Sequence, residues 1–127
     1  MSLFRKKKIR PQIRRDQALA ARPVKNADLG EERLSTGVMM ITYPIGMRPW
    51  AAALARRLGG NPDSVQYKKI QLDEMGTAVW DLIGEERTVR QVIQALAEKY
   101  QLHPKEAEVS VTTFLRELGK RGLIGLR

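Results

Sequence analysis

The chain has 127 residues, 43% hydrophobic and 29% charged, the length and composition of one globular domain able to bury a core. It has no cysteine and a single histidine, which excludes disulfide frameworks, thiol nucleophiles and zinc–thiolate sites. No apolar run approaches the ~20 residues of a membrane span, and no apolar stretch follows the basic start as a secretory signal would require; a cytoplasmic protein is expected.

The charge is unevenly spread. Residues 1–25 hold nine Lys or Arg against one Asp, whereas residues 26–127 hold fourteen against thirteen. The pI near 10.3 therefore belongs to the N-terminal segment. Arg5-Lys6-Lys7-Lys8, with Arg10, Arg14 and Arg15 behind it, suits an anionic partner or a solvated, self-repelling tail. Residues 1–22 are expected to be a weakly ordered basic tail and residues 23–127 the folded domain.

In chain order, Gln17–Arg22 has the composition of a helical turn or two, ended by Pro23, and Pro23–Asn26 begins a short extended segment. Gly37–Tyr43 is the first clear strand, apolar on both faces and stopped by Pro44. Residues 44–64 form a connector in which Pro49 opens a short amphipathic helix carrying Trp50, Leu54 and Leu58, with Gly59-Gly60 as its stop. Val65–Leu72 is a second strand. Asp73 caps a helix with Met75, Ala78, Val79, Leu82 and Ile83 on one face. Thr88 and Gln91 have capping-box spacing ahead of a helix bearing Val89, Val92, Ile93, Leu96 and Tyr100. Pro104 starts a third helix, ended by Gly122, and Leu123–Leu126 has the pattern of a short closing strand. Three helices after two or three strands predict an α+β domain of winged helix-turn-helix type.

Little in the chain suits catalysis. His103 precedes Pro104 at a helix start, where a surface or capping role is expected, and no second histidine accompanies it as a metal ligand. Glu85 and Glu86 follow a C-cap glycine as a solvated loop would. Gly119-x-x-Gly122-x-x-Gly125 straddles a helix end and is not a phosphate cradle. No enzyme activity, cofactor or metal site is expected.

The stretch Leu72-Asp73-Glu74-Met75-Gly76-Thr77-Ala78-Val79-Trp80-Asp81-Leu82-Ile83 continues as Glu85-Glu86-Arg87-Thr88-Val89-Arg90-Gln91-Val92-Ile93. It closes with Phe114-Leu115-x-x-Leu118-x-x-x-Gly122-Leu123-Ile124. This order and spacing resembles the PqqD family, the small peptide chaperones of pyrroloquinoline quinone biosynthesis and related peptide-modification systems. The resemblance implies a non-catalytic precursor-peptide recognition element with a three-stranded antiparallel sheet on a three-helix bundle. In such an element the leader of a ribosomally made peptide adds as a strand between a sheet edge and the third helix. The bound leader is then presented to a modifying enzyme, often a radical S-adenosylmethionine protein. The resemblance does not extend to the basic lead-in or to the helical insertion at 44–64, where family hairpins are tight.

Strand addition needs an exposed edge. The candidate is Val65–Leu72, with Tyr67, Lys68, Lys69, Ile70, Gln71 and Leu72 contacting the peptide and the two lysines drawing an acidic leader. Val111, Thr112, Leu115, Arg116 and Leu118 on the third helix are the opposite wall. Trp50, Leu54 and Leu58 are expected either to cover the second apolar face of the sheet or to form an oligomer or partner interface, including a homodimer. The alternative is a winged-helix nucleic-acid binder using the basic tail. Against it, the third helix mixes Lys105, Arg116, Lys120 and Arg121 with Glu106, Glu108 and Glu117, and lacks a base-reading cluster.

Overall fold

In the computed structural model residues 14–45, 56–59 and 66–127 are described. In chain order they form α1 (Arg15–Ala20), β1 (Pro23–Lys25), β2 (Gly30–Arg33), β3 (Met39–Ile45), β4 (Gln66–Gln71), α2 (Glu74–Leu82), α3 (Val89–Tyr100), α4 (Pro104–Lys120) and β5 (Ile124–Leu126). The protein is α+β, with two antiparallel sheets ordered β2-β3-β4 and β1-β5. It divides into one unit of residues 27–77 and another made from 1–26 together with 78–127.

Within 27–77, β2 and β3 are joined by residues 34–38, of which Leu34 and Val38 close a three-residue loop. Leu34 N–H donates to the Val38 carbonyl at 2.8 Å, and Gly37 supplies the left-handed residue (φ 94°) that such a loop needs. The sequence assigns no element to the strand Gly30–Arg33. All four of its residues are exposed, so its pairing leaves no hydrophobic alternation to read. β3 also runs on through Pro44, where the sequence predicts a stop. The last β2 partner, Gly30, sits opposite Thr42; past it, nothing on that side requires the N–H that proline lacks. Met39, Ile41 and Tyr43 are buried on one face of β3, while Met40, Thr42 and Pro44 on the other are half-buried. At the end of the sheet the Met39 N–H donates to the buried Thr77 hydroxyl at 3.0 Å, and Asp73 caps α2 by accepting from the Gly76 N–H at 2.6 Å.

In the other unit, α3 packs on α4 through Val89, Val92, Ile93 and Leu96 on one side and Ala107, Val111, Leu115 and Leu118 on the other. The expected capping box is present: the Thr88 hydroxyl accepts from Gln91 N–H at 3.2 Å, and Gln91 Oε1 accepts from Thr88 N–H at 2.8 Å. His103 caps α4 by accepting the Lys105 N–H at its Nδ1, 3.1 Å away. Trp80 is fully buried, with Lys25 Nζ 4.5 Å from its ring centroid, a cation–π contact.

The N-terminal segment holds the helical turn or two expected at Gln17–Arg22, begun two residues earlier. Residues 15–20 are helical, Leu19 is buried, and Arg22 and Arg127 exchange main-chain hydrogen bonds at 2.8 and 3.0 Å. The closing strand pairs with Pro23–Lys25 as a separate two-stranded ribbon; the three-stranded sheet instead takes its third strand from Gly30–Arg33. In the connector, Trp50 and Leu54 lie outside the described residues, whereas Arg56 and Arg57 are helical ahead of Gly59 (φ 82°).

Replacing Thr77 by Val leaves the Met39 amide buried without an acceptor. Urea unfolding is expected to show a loss of about 1–3 kcal/mol, most of it restored by Thr77→Ser, which keeps the hydroxyl.

Candidate functional site

β4 is an edge strand: β3 lies on one side, and among the described residues nothing pairs with the other. The Leu72 N–H donates to the Met39 carbonyl at 2.9 Å, which fixes the phase of the ladder. With Ile41 opposite Ile70 and Tyr43 opposite Lys68, antiparallel alternation points the main-chain groups of Lys68 and Ile70 at β3. Those of Tyr67, Lys69 and Gln71 therefore point outward.

Side chains divide the same way. Tyr67, opposite Pro44, and Lys69, opposite Thr42, share one face with Gln71, opposite Met40; Tyr67 is 63% exposed. Ile70 is half-buried beside Ile41, and Leu72 is buried. Of the strand residues expected to meet a peptide, Tyr67, Lys69 and Gln71 thus offer both main chain and side chain. Lys68 offers only its exposed side chain. Ile70 and Leu72 serve the sheet.

On α4, Val111 and Leu118 are core residues at 0% and 1% exposure. Leu115 is buried too, but with Thr112 and Arg116 it lines a cleft of about 560 Å³ whose other walls are α1, the start of α3 and β5. That cleft was not legible beforehand, because α1 and the β1–β5 pairing build two of its walls. Leu58 is 77% exposed. Among the described residues no three His, Cys, Asp or Glu side chains are grouped to hold a metal, and no helix is long and apolar enough to cross a membrane.

α1 is held against α4 by a two-pronged ion pair. Arg15 Nε and Nη2 each lie 2.7 Å from a carboxylate oxygen of Glu108. The hydrogen bond from Arg15 holds the Glu108 carboxyl below the usual carboxylate range; partial desolvation opposes this, and the charges of Arg15, Lys105 and Arg90 assist it. At the turn after α2, Glu86 adopts a left-handed φ of 64°. Its carbonyl accepts from Arg22 Nε at 3.0 Å, and its carboxylate accepts from Arg127 Nη2 at 2.9 Å.

A sequence-family model described as coenzyme PQQ synthesis protein D (PqqD) matches residues 61–124, half of the chain. No curated protein and no solved structure matches the chain. The matched span takes in β4 and α2 to α4 and ends at the first residue of β5, leaving α1 and β1 to β3 outside.

A depressed carboxyl pKa in the folded state stabilises above the unfolded value and stops doing so as pH falls through the folded one. Acidification is therefore expected to loosen α1, seen as a lower protection factor, exchange being compared with the intrinsic rate at each pH, at the Ala18 amide, which donates to the Arg14 carbonyl. Glu108→Gln should lower that protection at neutral pH and remove its pH dependence.

Proposed function

As this chain belongs to the PqqD family, we propose that it is a non-catalytic accessory protein that binds the leader of a ribosomally made precursor peptide and presents it to a modifying enzyme. The observation that supports this reading is the outer edge of β4. It is a strand of six residues, five of them exposed, with outward main-chain groups at every second position. An extended peptide paired there gains the ladder hydrogen bonds that a sheet edge leaves unmade, with side-chain contacts adding selectivity. Lys68 and Lys69 favour an acidic leader, and they also discourage pairing of one edge with another. In this reading α2 to α4 are the helical half of a winged-helix module, and the modifying enzyme is of the radical S-adenosylmethionine type. Peptide binding, and not base reading, is the function assigned to the module.

The test is titration of the isotope-labelled chain with a synthetic leader of a coenzyme PQQ precursor peptide. Shifts should centre on Tyr67, Lys69 and Gln71. Lys69→Pro removes an outward donor while leaving the β3 ladder intact, and should weaken binding about tenfold or more with thermal stability retained. Charge reversal at Lys68 and Lys69 should act mainly by slowing association. Leader binding unaffected by Lys69→Pro, or shifts produced by duplex DNA and not by the leader, would sink the proposal.

A further inference from the structure

The cleft between α1, α4 and β5 is a second peptide-docking site, we infer, and it takes an extended acidic segment of a partner protein that carries an apolar side chain. It uses none of the residues of β4 and goes beyond the leader-binding reading.

Three observations carry this. The first is the backbone of β5. Asn26 N–H donates to the Leu123 carbonyl, and Arg22 and Arg127 bond to each other through both main-chain groups. In the register Val24↔Gly125, Leu123, Gly125 and Arg127 thus face β1, and the main-chain groups of Ile124 and Leu126 face away from it. All three β5 residues line the cleft and no β1 residue does, so the cleft runs along that open side. Among the described residues no strand pairs there.

The second is the shape and lining. At about 560 Å³ the cleft is in the range of sites that enclose a ligand. Ala18, Ala21, Leu115 and Ile124 give it an apolar floor, and Leu126 stands 55% exposed at its edge. Gly119 and Gly125 also line it, and a Cβ built on either meets nothing within 4 Å. The space is therefore open at the two places where main chain is bare.

The third is charge. Arg116 lines the cleft, and among the described residues it has no ion-pair partner. α1, which forms one wall, follows a segment bearing Arg5, Lys6, Lys7, Lys8, Arg10 and Arg14. Carboxylates are drawn to a rim that carries Arg116. The chain's own residues 1–13 would bring like charge to Arg116, and a second copy would bring the same basic segment. An acidic strand from a different protein is the occupant that fits both the apolar floor and the rim.

The experiment uses the full-length isotope-labelled chain and a blocked hexapeptide alternating glutamate and leucine, with lysine–leucine and glutamate–glycine hexapeptides as controls. Saturable shifts are expected at Ala18, Gly119, Gly125 and Leu126 with the glutamate–leucine peptide alone. Binding should weaken about tenfold in Arg116→Glu, the effect of losing one charge-assisted contact. It should vanish in Gly119→Leu, which fills the cleft from a helical position, and stay unchanged in Lys69→Pro. Gly125→Val serves the same purpose if Gly119→Leu fails to fold. Four outcomes overturn the inference: no saturable shifts, shifts confined to Gln66–Gln71, equal binding of the lysine–leucine peptide, or occupancy by the chain itself. The last would appear without peptide, as cleft shifts that follow protein concentration or respond to Phe4→Asp. Loss of leader binding at β4 with the cleft shifts intact would instead count against the leader reading alone.

Discussion

Main-chain N–H and C=O groups need partners, and a strand offers them on two sides. In this protein only β3, among the described residues, has both sides met by neighbouring strands. The two small sheets leave every other described strand with an edge, and the molecule manages each edge differently. β2 is exposed along its whole length and β4 carries paired lysines, while β5 lies beside a cleft.

The second organising feature is the way distant segments tie down the unit formed by residues 1–26 and 78–127. Glu86 is held in a conformation unfavourable to most side chains by Arg22 at its carbonyl and Arg127 at its carboxylate. The same two arginines pair through their main chains, and Val89 N–H donates to the Ala21 carbonyl at 2.9 Å. These contacts set α1 against the helices and so create the cleft wall. None of residues 14–22 lies in the family-matched span.

What was legible in the sequence was whatever local chemistry dictates. The helices from Asp73 onward follow from caps at Asp73, Thr88 and His103 and from apolar stripes with helical spacing. The strand 66–71 and its lysine-bearing edge were readable as well. Misread elements depended on partners far away in sequence. Gly30–Arg33 is a strand because β3 accepts it, not because its residues prefer to be one. The helical turns expected at Gln17–Arg22 are present as Arg15–Ala20, but their docking through Leu19 and a glutamate 93 positions away is announced by no local pattern. The phase of the β4 ladder needed the Leu72–Met39 bond, which puts the outward donors at Tyr67, Lys69 and Gln71.

The pairing of β1 with β5 also has a consequence for assembly. Residues 27–77 form a unit that is continuous in sequence, whereas Pro23 waits for Leu126. At about 5–20 residues per second of synthesis, roughly a hundred residues separate the two strands by about 5–20 s. Until α3 and α4 have been made α1 has no helix to dock on, and the continuous unit is free to form first. The entropy of closing so long a loop falls on this last step. Residues 14–26 thus gain their pairing and packing partners only once residues 78–127 have been made.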